Sequence, residues 1–128
     1  MKPQQQIYIL HASAGTGKTY NLAKRYIKLL LSSPQENLSI KNILAITFTN
    51  KAAVEMKQRI LELLKRLALN LWEDNEVKSD IQKTVLDKEI NSEIQTYAAE
   101  RVNEIINNYH YFQVQTIDSF IYTIASLY

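Results

Sequence analysis

The chain has no cysteine, two glycines, two prolines and one tryptophan among its 128 residues. Without cysteine there are no disulfides and no thiolate metal sites, which suits a reducing cytoplasm, where the protein is expected. No apolar run approaches the ~20 residues that span a bilayer, so no membrane partner is expected. The first ten residues, MKPQQQIYIL, lack the apolar core and cleavage site of a secretory leader. Formal net charge is only +2, so charge alone announces no nucleic-acid binder. A hydrophobic content of 46% at this length allows one domain with a core.

The scarcity of glycine is the informative absence. Soluble proteins average roughly 7% glycine, yet both glycines here, Gly15 and Gly17, fall within HASAGTGKTY, residues 11–20. Before them, QIYIL (6–10) reads as a short buried strand. After them, Leu22, Tyr26 and Leu29, widened by Ala23, Ile27 and Leu30, recur at helical spacing until Ser32, Ser33 and Pro34 end the pattern. ASAGTGKT (12–19) therefore sits between a strand and a helix. It fits the phosphate-binding loop, with alanine at the first position where glycine is commoner. Phosphate oxygens must approach backbone N–H groups, and side chains at Gly15 or Gly17 would block that approach or forbid the backbone angles. The helix amino terminus adds partial positive charge. On this reading Ala12, Ser13, Ala14, Gly15, Thr16, Gly17, Lys18 and Thr19 bind ATP. Lys18, the catalytic candidate, bridges the β- and γ-phosphates, and the Thr19 hydroxyl ligates Mg²⁺.

NILAITFT (42–49) is apolar at nearly every position, as a central parallel strand should be. A long helix follows, with Val54, Ile60, Leu61, Leu64, Leu67 and Leu71 assigned to its inner side and Lys57, Arg59, Lys65 and Arg66 to a solvated face. A helix is expected around Ile81 and Val85, and another through Ile90, Ile94, Tyr97, Val102, Ile105 and Tyr109. YFQVQTI (111–117) alternates like a strand, and Asp118 or Ser119 can cap a last helix. Tyr97, Tyr109, Tyr111 and Tyr122 read as packing residues, and His11 and His110 as structural. The alternation of strands and helices argues for an α/β fold with a parallel sheet.

Two further segments, ITFTNKAAVEM (46–56) and VQTIDSF (114–120), place polar and aromatic residues at carboxyl ends of strands, the edge where such sheets bind ligands. Together the three segments resemble superfamily 1 DNA helicases of the UvrD/Rep type, closest in wording to RecB/AddA-like subunits of exonuclease-helicases. The resemblance covers nearly the whole chain. It implies a three-layer, RecA-like P-loop fold, here the amino-terminal portion of an ATP-binding lobe. It also implies Mg-ATP as cofactor, Arg25 near the nucleotide, and single-stranded DNA touching Phe48, Thr49, Asn50, Thr116 and Asp118. Many relatives carry histidine where Asp118 stands, and an ionised acid cannot donate to phosphate. Many also place an adenine-binding glutamine well upstream of the loop, whereas Gln4, Gln5 and Gln6 lie against the first strand. Tyr20 replaces a basic residue common near the nucleotide.

The resemblance further implies partners: a second RecA-like lobe and a nuclease subunit or domain. The Asp-Glu pair that completes the family's Mg²⁺ site is not found in these 128 residues, so the chain by itself is expected to be catalytically incomplete. Two other readings stay open: a stand-alone P-loop nucleotide-binding protein, and a non-catalytic DNA-binding fragment.

Overall fold

The computed structural model describes residues 7–11, 17–32 and 38–127. Strand β1 (Tyr8–His11) is followed by helix α1 (Lys18–Leu31), strand β2 (Ile43–Thr47) and helix α2 (Asn50–Leu69). A short helix α3 (Asn75–Ile81) runs into a five-residue π turn at Gln82–Leu86; then come α4 (Ser92–Asn107), β3 (Val114–Thr116) and α5 (Ile117–Ala125). Short 3₁₀ turns at Ile40–Asn42 and Tyr109–Tyr111 lead into β2 and β3.

The strands form a parallel sheet in the order β1-β2-β3, with Tyr8 opposite Ile43 and Ala45 opposite Val114. Crossovers between parallel strands are right-handed in nearly every known case. Two successive crossovers stepping the same way across a sheet therefore put their helices on one face. Burial follows that logic. Leu10, Ile43, Ala45 and Val114 join one core with Tyr26 and Ile27 of α1, Met56, Ile60 and Leu64 of α2, and Ala98 and Ile105 of α4. On the opposite face Ile9 is 52% exposed, and Leu44 and Ile46 are half-buried. Helices flank the sheet as expected, but among the described residues only α5 stands near this second face, and no α5 side chain is buried.

The sequence periodicity places the helices well and some of their faces less well. The inner side of α2 consists of Ala53, Met56, Ile60, Leu63, Leu64 and Leu67. Val54 is 55% exposed, one residue and so about 100° out of phase with Ala53. Leu71 lies past the left-handed Asn70 that ends the helix. Ile81 and Val85 are buried as expected. Tyr122 is 76% exposed, and Tyr109 and Tyr111 are also exposed, so these three are not packing residues in the sense anticipated. The strand expected at 111–117 shortens to three residues because Tyr109–Tyr111 forms a 3₁₀ turn.

The approach to β2 is fixed by an ion pair between buried Arg101 and half-buried Glu104. Arg101 donates to Glu104 Oε2 at 2.6 Å and to the Leu38 carbonyl at 2.6 Å, while the Ile40 N–H donates to Glu104 Oε1 at 2.8 Å. This charge network ties α4 to the start of the central strand, and removing one partner of such a pair strands the other without compensation.

Candidate functional site

Because the strands are parallel, His11, Thr47 and Thr116 end them on one edge, where α1, α2 and α5 begin. The amino termini of three helices, with their partial positive charge, therefore gather there. Residues 12–16, the first five of the loop motif, lie outside the described residues. Gly17 caps α1 with φ 80°, in the left-handed region. A Cβ built there meets nothing within 4 Å, so the need for glycine at Gly17 is conformational rather than a matter of space. Lys18 opens α1 and is exposed, Thr19 is half-buried, and no acidic residue occupies the first turn.

Two clefts flank this helix start. One, of about 690 Å³, brings Lys18 and Arg25 together with Phe48 and the apolar side chains of Ile117, Phe120 and Ile121. Arg25 donates to the His11 carbonyl at 3.5 Å, a long contact to the end of β1. The other cleft, of about 550 Å³, runs between the starts of α1 and α2 and holds Gly17, Thr19, Tyr20, Thr49, Lys51 and Arg59 among its lining residues. Asn50, Thr116 and Asp118 line neither cleft.

Phe48 is 53% exposed, which removes it from the core and leaves its ring on the edge. The turn that presents it is held by Thr47, whose buried hydroxyl lies 3.2 Å from the Thr49 carbonyl and 3.3 Å from the Gln115 carbonyl. Sequence reasoning misses Thr47, because a threonine inside a strand-like run carries no signal of its own. Thr49 caps α2, accepting from the Ala52 N–H at 3.0 Å. Thr116, not Asp118 or Ser119, caps α5, accepting from the Ser119 N–H at 3.1 Å. Asp118 is exposed in the first turn of that helix, where its charge suits the helix dipole.

Tyr20 is built into the scaffold beside the loop. Its hydroxyl donates to Asp80 Oδ2 at 2.8 Å, and Lys24 Nζ donates to the same oxygen at 2.7 Å. Burial, followed by the hydrogen bond to Asp80, raises the Tyr20 hydroxyl to about 12. The hydrogen bond from Lys24 holds the Asp80 carboxyl below the usual carboxylate range, against the opposing effect of burial. A depressed carboxylate pKa contributes stability above its unfolded value, and that contribution is lost as pH falls through the folded value. Asp80→Asn is therefore expected to destabilise the chain near neutral pH by ~0.5–1 kcal/mol, a small effect because Asp80 is partly exposed. Chemical denaturation should show the difference between wild type and variant shrink as pH falls through and below the usual carboxylate range.

The amino-acid sequence was compared with known proteins. The sequence pattern of the UvrD/REP helicase N-terminal domain matches residues 1–126. A RecBCD enzyme subunit RecB from Buchnera aphidicola subsp. Baizongia pistaciae is 32% identical over 127 residues, covering 93% of this chain and 10% of that protein. A probable DNA helicase II homolog from Rickettsia felis is 44% identical over 82 residues, covering 56% of this chain and 12% of the relative. The ATP-dependent DNA helicase UvrD1 of Mycobacterium bovis is 38% identical over 80 residues, covering 56% and 10%. The chain thus spans about a tenth of the length of these relatives.

Proposed function

The chain belongs to the UvrD/REP helicase family, and on that premise we propose that it forms the ATP-binding, single-strand-contacting portion of the first RecA-like lobe of an ATP-dependent DNA helicase. The observation that carries this reading is the convergence of Gly17–Thr19, the Phe48 turn and the Thr116 turn on one edge of a parallel sheet. Left-handed Gly17, exposed Lys18 and an acid-free first helical turn fit a nucleotide phosphate chain. Thr19, next to Lys18 in the first turn of α1, is assigned to a Mg²⁺ that arrives with the nucleotide. ATP, when bound, supplies a phosphoanhydride whose cleavage does work. The residues of this chain hold its phosphates and set the distance from there to the strand-contacting edge.

In this reading Ala12, Ser13, Ala14, Gly15 and Thr16 complete the phosphate cradle, and Arg25 lies within reach of the nucleotide from α1. Phe48 offers a ring to a base. Thr49 and Asn50, together with Thr116, sit beside the strand as polar neighbours of phosphate, their helix starts providing N–H groups. Asp118 is the weakest member of the set, because its carboxylate repels phosphate. In this reading the chain's partners are a second motor lobe and a nuclease subunit or domain, and we place its work in DNA repair or recombination in the cytoplasm. No helix of the described residues is long and apolar enough to cross a membrane.

Single-stranded oligonucleotide binding, followed by fluorescence anisotropy, tests the DNA half of the proposal. Phe48→Ala should weaken it by ~1–3 kcal/mol, the contribution of one base stacked on one ring. Equal affinity for duplex and single strand, unmoved by Phe48→Ala, would refute it. Binding that is indifferent to nucleotide would favour a non-catalytic DNA-binding fragment instead. Steady ATP turnover by these 128 residues alone would favour the stand-alone P-loop reading.

A further inference from the structure

The opposite edge of the sheet carries a second cluster of rings and cations. Lys41 lies in the 3₁₀ turn before β2, and Tyr109, His110 and Tyr111 form the turn before β3. Parallel pairing brings these two turns side by side at the amino edge. There the Lys41 ammonium sits 4.3 Å from the centre of the Tyr111 ring, and Lys57 of α2 sits 5.1 Å from that of Tyr109. The His110 and Tyr111 rings lie 4.0 Å apart. Tyr109 is 50% and Tyr111 37% exposed, and His110 is exposed as well.

Cost and charge both make this cluster unusual. Packing accounts for these rings only in part: Tyr109 meets the buried Phe112 edge-on at 6.0 Å, yet half of Tyr109 and over a third of Tyr111 stay in solvent. Neither lysine forms an ion pair with a carboxylate among the described residues. Glu104, the acid nearest to Tyr109 in sequence, is already held by Arg101 and the Ile40 N–H. Lys41 is exposed and Lys57 half-buried beside the rings. An ammonium beside an exposed ring is the pairing that single-strand binders use: the cation meets a phosphate while a ring meets a base.

We propose that the Lys41, Lys57 and Tyr109–His110–Tyr111 cluster is a second contact surface for single-stranded nucleic acid, separate from the carboxyl-edge site. Lys41 and Phe48 stand at opposite ends of β2, seven positions apart, roughly 20 Å at strand rise, so a single strand crossing the sheet end to end could reach both. The cluster needs neither nucleotide nor Phe48, and its test can be separated from that of the proposed function.

The test uses a short oligothymidine carrying photoreactive halogenated uridine, with cross-linked peptides located by mass spectrometry. Cross-links at residues 109–111, retained in Phe48→Ala, are the expected result. In the double variant Lys41→Gln/Lys57→Gln the log–log salt slope should fall by roughly 1.4, at about 0.7 for each phosphate no longer neutralised. Tyr109→Ala should lower affinity roughly fivefold or more, with circular dichroism confirming that helicity is kept. The proposal is overturned if cross-links are confined to the Phe48 and Thr116 turns. It is equally overturned if the lysine variant, folded by the same measure, keeps the wild-type slope, or if duplex competes better than single strand for residues 109–111.

Discussion

Lys18→Ala is expected to remove most nucleotide affinity from this chain while leaving its fold intact. Lys18 is exposed and opens α1 directly after the left-handed Gly17. A surface substitution of this kind changes stability by about 0.5 kcal/mol or less. A charge-assisted hydrogen bond to phosphate contributes ~1.5–3 kcal/mol, so affinity should fall by roughly one to two powers of ten. Gly17→Ala is the companion experiment. Its added methyl meets nothing, so the cost is that of a left-handed alanine, ~1–2 kcal/mol, and it reshapes the loop without removing a charge. Calorimetry with Mg-ATP separates the two variants: loss of affinity without loss of stability in the first, loss of both in the second. Phosphate release over hours should stay at background even in the wild type. Unchanged affinity in Lys18→Ala, or steady turnover that this substitution abolishes, would refute one or other half of the expectation.

Much of this edge is legible in the sequence because its chemistry is local. Gly17 and Lys18, five and four residues before Leu22 at the head of a helical stripe, mark a helix start whatever the rest of the fold does. The strands at Tyr8–His11 and Ile43–Thr47 are visible as short apolar runs between turn signals. What the sequence hides is choice among equivalents. Thr116, Asp118 and Ser119 can all cap a helix, and only the point at which β3 stops selects Thr116. Val54 and Ala53 both suit an inner face, and only the rotation of α2 against α1 and α4 selects the smaller one. The pairing of Tyr20 and Lys24 with Asp80 joins residues 56 and 60 positions apart, and no local pattern announces it. The amino-edge ring cluster is hidden for the same reason, since its lysines come from two elements far from Tyr109–Tyr111. Tyrosines in a helix-to-strand turn look like packing until their exposure is known.

The largest physical effect expected of the isolated chain is self-association through its second sheet face. In-order strands and same-handed crossovers gather the buried helices on one side, leaving Ile7 65% and Ile9 52% exposed on the other. Beside that face α5 adds Ile117, Ile121 and Ile124, each at least 38% exposed. Among the described residues β1 pairs with β2 alone, and an edge strand is a surface on which another chain can pair. Burying one Ile side chain is worth ~1.5–3 kcal/mol, against a total domain stability of ~5–15 kcal/mol. Covering three or four of them in an oligomer is thus comparable with folding itself. Light scattering should show oligomers at micromolar concentration, and thermal unfolding should be broad and concentration-dependent. The double substitution Ile9→Lys/Ile121→Lys should shift the population to monomer at little cost to the core, since neither side chain is buried. A wild-type chain that is a monodisperse monomer and melts cooperatively above ~65 °C, the upper end for mesophile domains, would show that this face needs no cover.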